Sequence, residues 1–299
     1  MNTDKLKNRK LVGTLAGIAA AVCYGTNPLG ALKLYAEGMQ TNSVLFFRFG
    51  LAWVIIAVVM LFSKESVRVT RREFRVLTGL GLLFIVSSLT LYLSFHYMAA
   101  GVASTILFTY PVMTAVIMTV FFRERITWST VASLLLASAG VVLLYWSDGV
   151  GTLSTTGVLL VLASALSYAL YIILVNKGDL QMSSFKINFY VLMYCALGML
   201  VYSLVAGLPL TMPRNAVSWF YVGWLALVPA IFALVLMVYA AKYIGSTATA
   251  ILGALEPLTA VLIGIFVFNE PFTLNLSIGI VLILAAVVII ALVKHDKPA

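Results

Sequence analysis

Charge is what this sequence has least of. Of its 299 residues, 10% are Asp, Glu, Lys or Arg, while 63% are apolar. A water-soluble fold of this length cannot bury that much apolar surface, but a bilayer can receive it. Cysteine is nearly absent, and Cys23 and Cys195 both fall inside apolar runs. That excludes a disulfide framework and a structural zinc site. The only histidines are His96 and His295, so no His/Cys/Asp cluster suggests a metal and no Ser/His/Asp set suggests hydrolysis. No Walker A pattern occurs, so ATP is not hydrolysed on this chain. The net charge is +9, yet no basic stripe sits on a soluble fold, which argues against nucleic acid as a partner. The expected partners are the lipid bilayer and a small molecule, with no cofactor and no metal. Nothing in the sequence specifies an oligomeric state.

What is present is apolar runs of spanning length. Crossing the hydrocarbon core as a helix takes about 20 residues, and helix is required because lipid cannot satisfy an open backbone. The runs predict ten spans, at 11–34, 42–63, 74–98, 101–122, 128–146, 156–176, 185–206, 217–243, 246–268 and 273–293. The first follows Lys5, Lys7, Arg9 and Lys10 and is too long for the apolar core of a signal peptide. It is read as the first membrane helix, with no separate targeting segment. If the amino terminus faces the cytoplasm, 16 of the 19 Lys and Arg residues fall on the inner side. Lys33 and Arg214 fall outside, and Arg48 lies within a span. This asymmetry predicts an even number of spans, with both termini cytoplasmic in a bacterial inner membrane.

The two halves echo each other. A shift of 144 superposes Gly13 on Gly157, Tyr24 on Tyr168 and Lys33 on Lys177. A shift of 146 superposes Tyr97 on Tyr243, Pro111 on Pro257, Glu124 on Glu270 and Thr127 on Thr273. The predicted units are 1–148 and 149–299. Each holds five spans, so the second must insert upside down. The expected fold is therefore all-α, with ten transmembrane helices as two inverted five-helix repeats around a central cavity. Inverted repeats are a mark of secondary transporters.

The order of motifs adds to this. Gly25-Thr26-Asn27-Pro28 lies in the first span and Arg48-Phe49 with Ala52 in the second. Pro111 precedes Glu124-Arg125-Ile126-Thr127, and the second half repeats this as Glu256-Pro257 before Glu270-Pro271-Phe272-Thr273. In these features the chain resembles the EamA-like branch of the drug/metabolite transporter superfamily, over nearly its whole length. The resemblance implies a ten-helix basket and small-molecule transport, often export of amino acids or related metabolites. The sequence departs from the family at Tyr24, where Trp is common, and at Arg123 and Asn269, where Gly often precedes the glutamate.

Candidate residues follow from what polar groups cost in lipid. Glu256 is the one acidic residue near mid-membrane, at roughly 2.5–3.5 kcal/mol on insertion scales. It shares a helical face with Thr249, Gly253, Ala260 and Gly264. It is either a proton-coupling or cation-binding group, or a protonated carboxyl bonding backbone freed by Pro257. Arg48 either snorkels outward or lines the cavity and meets a substrate carboxylate or phosphate with its forked donors. Tyr24 with Asn27, the stripe Ser88, Tyr92, Phe95 and His96, and the stripe Ser164, Ser167, Tyr168 and Tyr171 suggest a cavity wall. Helix packing glued by hydroxyls is the competing reading. Lys33 and Lys242 read as snorkelling anchors. Pro28, Pro111, Pro229 and Pro257 mark bends or hinges. Glu124 and Glu270 read as turn and capping residues.

The expected function is secondary transport of a small metabolite by alternating access, with an amino acid or related carboxylate favoured and export as the direction the resemblance implies; proton coupling through Glu256 and simple facilitation both stay open. A multidrug, organic-cation, sugar or nucleoside transporter of the same fold is the alternative. From other classes, an intramembrane enzyme lacks a catalytic constellation, and a non-transporting subunit would show no solute counterflow.

Overall fold

The computed structural model describes residues 3–63, 65–98, 100–124, 126–144, 154–268 and 274–292. All secondary structure among them is helical. The helices are α1 (Thr3–Gly25), α2 (Asn27–Ala36), α3 (Thr41–Phe62), α4 (Arg71–Ser94), α5 (Ala100–Leu107), α6 (Tyr110–Phe122), α7 (Trp128–Leu144), α8 (Thr155–Lys177), α9 (Ser184–Val205), α10 (Ala216–Leu225), α11 (Ala233–Ile244), α12 (Ser246–Leu252), α13 (Leu255–Phe268) and α14 (Leu274–Leu292). A π-helical turn, Ala226–Phe232, joins α10 to α11. Six stretches are long and apolar enough to cross a bilayer: Arg9–Ala36, Thr41–Phe62, Arg71–Ser94, Thr155–Lys177, Ser184–Val205 and Ala216–Ile244. The pairs α5–α6 and α12–α13, with α7 and α14, complete ten crossings. Apolar side chains at the exterior, such as Phe62, Trp128, Leu204 and Val205, suit a lipid-facing surface.

Local chemistry sets the helix ends. Thr70 and Glu73 form a reciprocal capping box at the start of α4. Ser154, Ser183 and Asn215 accept backbone N–H groups at the starts of α8, α9 and α10. Gly245, at φ 83°, turns the chain between α11 and α12 in a conformation that favours glycine. Arg123 closes α6 at φ 54°. This left-handed conformation accounts for the glycine commonly found there in the resembled family.

The observed crossings match the predicted spans, though α1 begins at Thr3 rather than 11 and α4 covers Arg71–Ser94 rather than 74–98; the larger difference is in continuity. Four predicted continuous spans are interrupted. The first breaks at Thr26, before Pro28, where Thr26 Oγ1 donates to the Cys23 carbonyl at 2.7 Å. The fourth breaks at Phe108–Thr109, before Pro111, and the ninth at Gly253–Ala254, before Pro257. The eighth widens to a π-turn around Pro229. Proline lacks the N–H that would continue the helical ladder, so each interruption starts at or just before one.

The packing obeys an exchange of halves. The first repeat comprises α1–α2, α3, α4, α5–α6 and α7; the second comprises α8, α9, α10–α11, α12–α13 and α14. Helix α1 lies along α11, and its counterpart α8 lies along α4. Helix α1 also meets α13, as α8 meets α6. Helix α3 packs on its own counterpart α9, and α7 on α14. Swapping the repeats exchanges these principal contacts among themselves, as a pseudo-twofold axis requires.

Close helix approach at the core relies on glycine. A Cβ at Gly25 would sit 2.5 Å from Thr259 Cβ and 2.6 Å from the Glu256 carbonyl oxygen. Backbone cannot yield as a side chain does. Gly25→Ala is therefore expected to cost about 1–3 kcal/mol through overpacking, read as a lowered unfolding midpoint of the purified protein in detergent. Gly50→Ala, where a Cβ meets nothing within 4 Å, should leave that midpoint in place.

Candidate functional site

The interrupted helices converge on one interior pocket. Its walls are Gly17, Ala20, Ala21 and Tyr24 of α1, Tyr110 of α6, Tyr168 and Ile172 of α8, Met237 of α11, Thr249 of α12, Gly253 and Glu256. The free space is about 10 Å³, the lower limit for one water. The pocket is thus contracted, and anything larger than a water requires its walls to part.

The lining lies on the pseudo-twofold axis. Tyr24 and Tyr168 are the same repeat position at a shift of 144, and their rings meet edge-on at 6.1 Å. Tyr110 and Glu256 are the same position at a shift of 146, and both line the pocket. Only on the axis can a residue face its own counterpart. Tyr110 also packs edge-on against Tyr168 at 4.9 Å, and Tyr168 stacks on Tyr171 at 6.3 Å. The buried hydroxyls of Tyr24 and Tyr171 have no hydrogen-bond partner of normal geometry, an unusual state for buried polar atoms.

Arg48 does not snorkel. It is 2% exposed and held by two elements besides its own helix, α4 and the π-turn. One terminal nitrogen donates to Tyr92 Oη at 2.5 Å and the other to the Pro229 carbonyl at 3.2 Å. Tyr92 Oη donates onward to Asn27 Oδ1 at 3.1 Å. The guanidinium carbon lies 5.1 Å from the Phe49 ring and 5.5 Å from the Tyr92 ring, which supplies cation–π attraction. Arg48 Nε is buried without a partner. Among the described residues the one ion pair is Arg72 with Asp179, so neither Arg48 nor Glu256 has an ionic partner.

The remaining candidates separate into groups. Asn27, Arg48 and Tyr92 form the network just described, one turn beyond Tyr24. His96 lies at the rim. Its Nε2 meets Thr41 Oγ1 at 2.9 Å, and its ring stacks on Tyr35 at 4.8 Å. Tyr35 in turn meets Thr41 at 2.9 Å and donates to the Tyr92 carbonyl at 3.2 Å. Ser164 Oγ donates to the Ser87 carbonyl at 2.8 Å, which is helix glue rather than pocket wall. Glu124 bridges the repeats by accepting from Thr247 Oγ1 at 3.3 Å, beyond the local turn role expected of it. Lys242 donates to the carbonyls of Leu180 and Met182 at 3.2 and 2.7 Å, a loop tether rather than a snorkelling anchor. Pro28, Pro111 and Pro257 stand at the breaks. Glu270 lies outside the described residues, as do the side chains of Ala260 and Gly264. Sequence reasoning missed Tyr110. The shift of 146 that matches Pro111 to Pro257 already sets Tyr110 opposite Glu256, but matching by identity passes over unlike residues.

Ten crossings in two inverted repeats around an axial pocket are an architecture used by membrane transporters. The chain belongs to the EamA-like transporter family, whose pattern matches at residues 11–146 and again at 155–292. An uncharacterized transporter of Archaeoglobus fulgidus is 28% identical over 272 residues, covering 90% of this chain and 94% of its own. YetK, an uncharacterized transporter of Bacillus subtilis, is 23% identical over 307 residues, covering 97% and 90%. A solved crystal structure superposes with a TM-score of 0.76 at 17% identity, over 93% of this chain and 95% of that one, a likeness of fold. The protein is an integral membrane transporter of this family and not an enzyme.

The pocket's tightest contact gives a test. A Cβ at Gly253 would fall 1.5 Å from Tyr110 Oη. Gly253→Ala should expel the Tyr110 hydroxyl and lower both the unfolding midpoint and transport. The double variant Gly253→Ala/Tyr110→Phe should recover part of both losses, a positive coupling measured by a double-mutant cycle.

Proposed function

We propose that this protein is a secondary transporter working by alternating access, and that its substrate is a small zwitterion of the amino-acid kind. One observation carries this reading: a buried arginine and a pocket-lining carboxyl share the core without touching. Each charge is costly in a membrane interior. A mutual ion pair would lessen that cost, and the fold holds them apart instead. A ligand bearing a carboxylate and an ammonium complements both once the walls part, with Arg48, whose Nε is unpartnered, on the carboxylate and Glu256 on the ammonium. Tyr24, Tyr110 and Tyr168 supply ring faces and hydroxyls around it. Rocking of one repeat, 1–148, against the other, 149–299, opens the pocket to each side in turn.

Glu256 also supports proton coupling. Proton and ammonium compete for one carboxylate, so release of one accompanies capture of the other. The charge asymmetry supports both termini facing the cytoplasm, and the family's habit supports export. With a cysteine at Arg214 or Arg71 in a Cys-free background, a membrane-impermeant thiol reagent outside the cell should label the first and not the second.

A second reading rests on the pocket wall, which presents a carboxyl and phenols and no basic side chain among the residues lining it. That wall suits an organic cation. Counterflow of labelled solute in proteoliposomes separates the readings. The zwitterion reading expects amino acids to exchange well and their decarboxylated amines or deaminated acids poorly. It expects Arg48→Gln to raise KM and Glu256→Gln to abolish proton-driven uptake. Amines exchanging as well as the parent amino acids, with Arg48→Gln unchanged, would favour the cation. Full proton-coupled activity in Glu256→Gln would end the coupling role.

A further inference from the structure

A second site lies far from the axis, on the face that collects the basic residues. A groove of about 630 Å³ opens there at the start of α4, lined by Val69, Thr70, Arg71, Phe74 and Arg75. Arg71 and Arg75 are one turn apart and project on the same side of the helix. Both are exposed, and Phe74 between them is 50% exposed.

None of the nearby acids forms an ion pair with Arg71 or Arg75. Glu73 Oε2 accepts from the Thr70 backbone N–H at 2.7 Å and from Thr70 Oγ1 at 2.9 Å, which holds it in the capping box. Asp179 pairs with Arg72 at 3.5 Å. Glu65, half-buried in the preceding loop, forms no ion pair with either arginine. The groove is also built rather than loose. Lys186 Nζ donates to the Arg68 carbonyl at 2.6 Å, and Tyr190 Oη donates to the Val67 carbonyl, so α9 pins the loop that forms one edge. Phe74 packs edge-on against Tyr194 at 6.4 Å, and Tyr194 bonds Thr78 at 2.8 Å. Aromatic rings at this level mark the boundary between headgroups and acyl chains.

We propose that this groove binds an anionic phospholipid. Arg71 and Arg75 hold the headgroup phosphate from two sides, and Phe74 lies beside the upper acyl chain. A free phosphate or a soluble anion would satisfy the arginines but leave the exposed part of the Phe74 ring uncovered. The pairing of unneutralised guanidinium groups with an exposed ring is what selects a lipid.

The experiment is native mass spectrometry of the purified full chain with added phosphatidylglycerol, phosphatidylcholine or inorganic phosphate, supported by thermal shifts. The wild type should retain phosphatidylglycerol in preference to phosphatidylcholine and gain little from inorganic phosphate. Arg71→Gln/Arg75→Gln should weaken phosphatidylglycerol retention by roughly thirtyfold. Arg72→Gln, whose guanidinium is already paired, should not. Phe74→Ser should weaken the lipid but leave any phosphate response unchanged. Equal retention of the two lipids by the wild type would overturn the proposal. So would an equal loss in Arg72→Gln, which would mean that net charge alone attracts the lipid.

Discussion

Lipid offers no hydrogen bonds to a backbone, and the architecture follows from that constraint. A helix may break only where protein or a polar cavity receives the freed groups. The interruptions at Thr26, Phe108–Thr109, Gly253–Ala254 and the π-turn around Pro229 lie on crossings that face the interior. At the last of these, the Pro229 carbonyl accepts from Arg48. The same breaks that proline forces on the ladder bring Tyr110, Gly253 and Glu256 to the pocket. Backbone chemistry and site formation are therefore one event in this fold.

The electrostatics follow the same economy. A buried guanidinium in a membrane protein would ordinarily be matched by a carboxylate. Here a phenol, a carbonyl and two aromatic rings take that place, each a partial compensation for a full charge. The rim hydrogen bonds among Tyr35, Thr41 and His96 stand directly over this network through the Tyr92 carbonyl. At the other end of the molecule, Glu124 and Thr247 tie the repeats together. The contracted pocket lies between these ties.

Much of the fold was legible because a spanning helix has only one way to satisfy lipid. Hydropathy located the ten crossings, and the two shifts exposed the duplication. Boundaries agreed closely because Thr70, Ser154, Ser183 and Asn215 are residues that start helices. Continuity was not legible. A proline within an apolar run is compatible with a kink, a π-turn or a full break, and Pro229 and Pro257 took different courses among these. Long-range partners were beyond reach as well. Arg48 finds its acceptor 181 residues away, and whether it would turn outward or inward depended on that contact. The stripe on α8 carried both kinds of residue. Tyr168 reached the pocket while Ser164 bonded the neighbouring helix, because residues one turn apart can face different neighbours.

Tyr110 and Glu256 occupy the same place in the two repeats and line the same axial pocket. In an assembly of two identical chains, any residue placed there appears twice, so an acid brings two acids into contact and a phenol leaves none. Joining both copies in one polypeptide removes that restriction. The fused chain can keep a solitary carboxyl at its centre of symmetry, beside a hydroxyl able to bond it, an arrangement that no homodimer of such halves can reach.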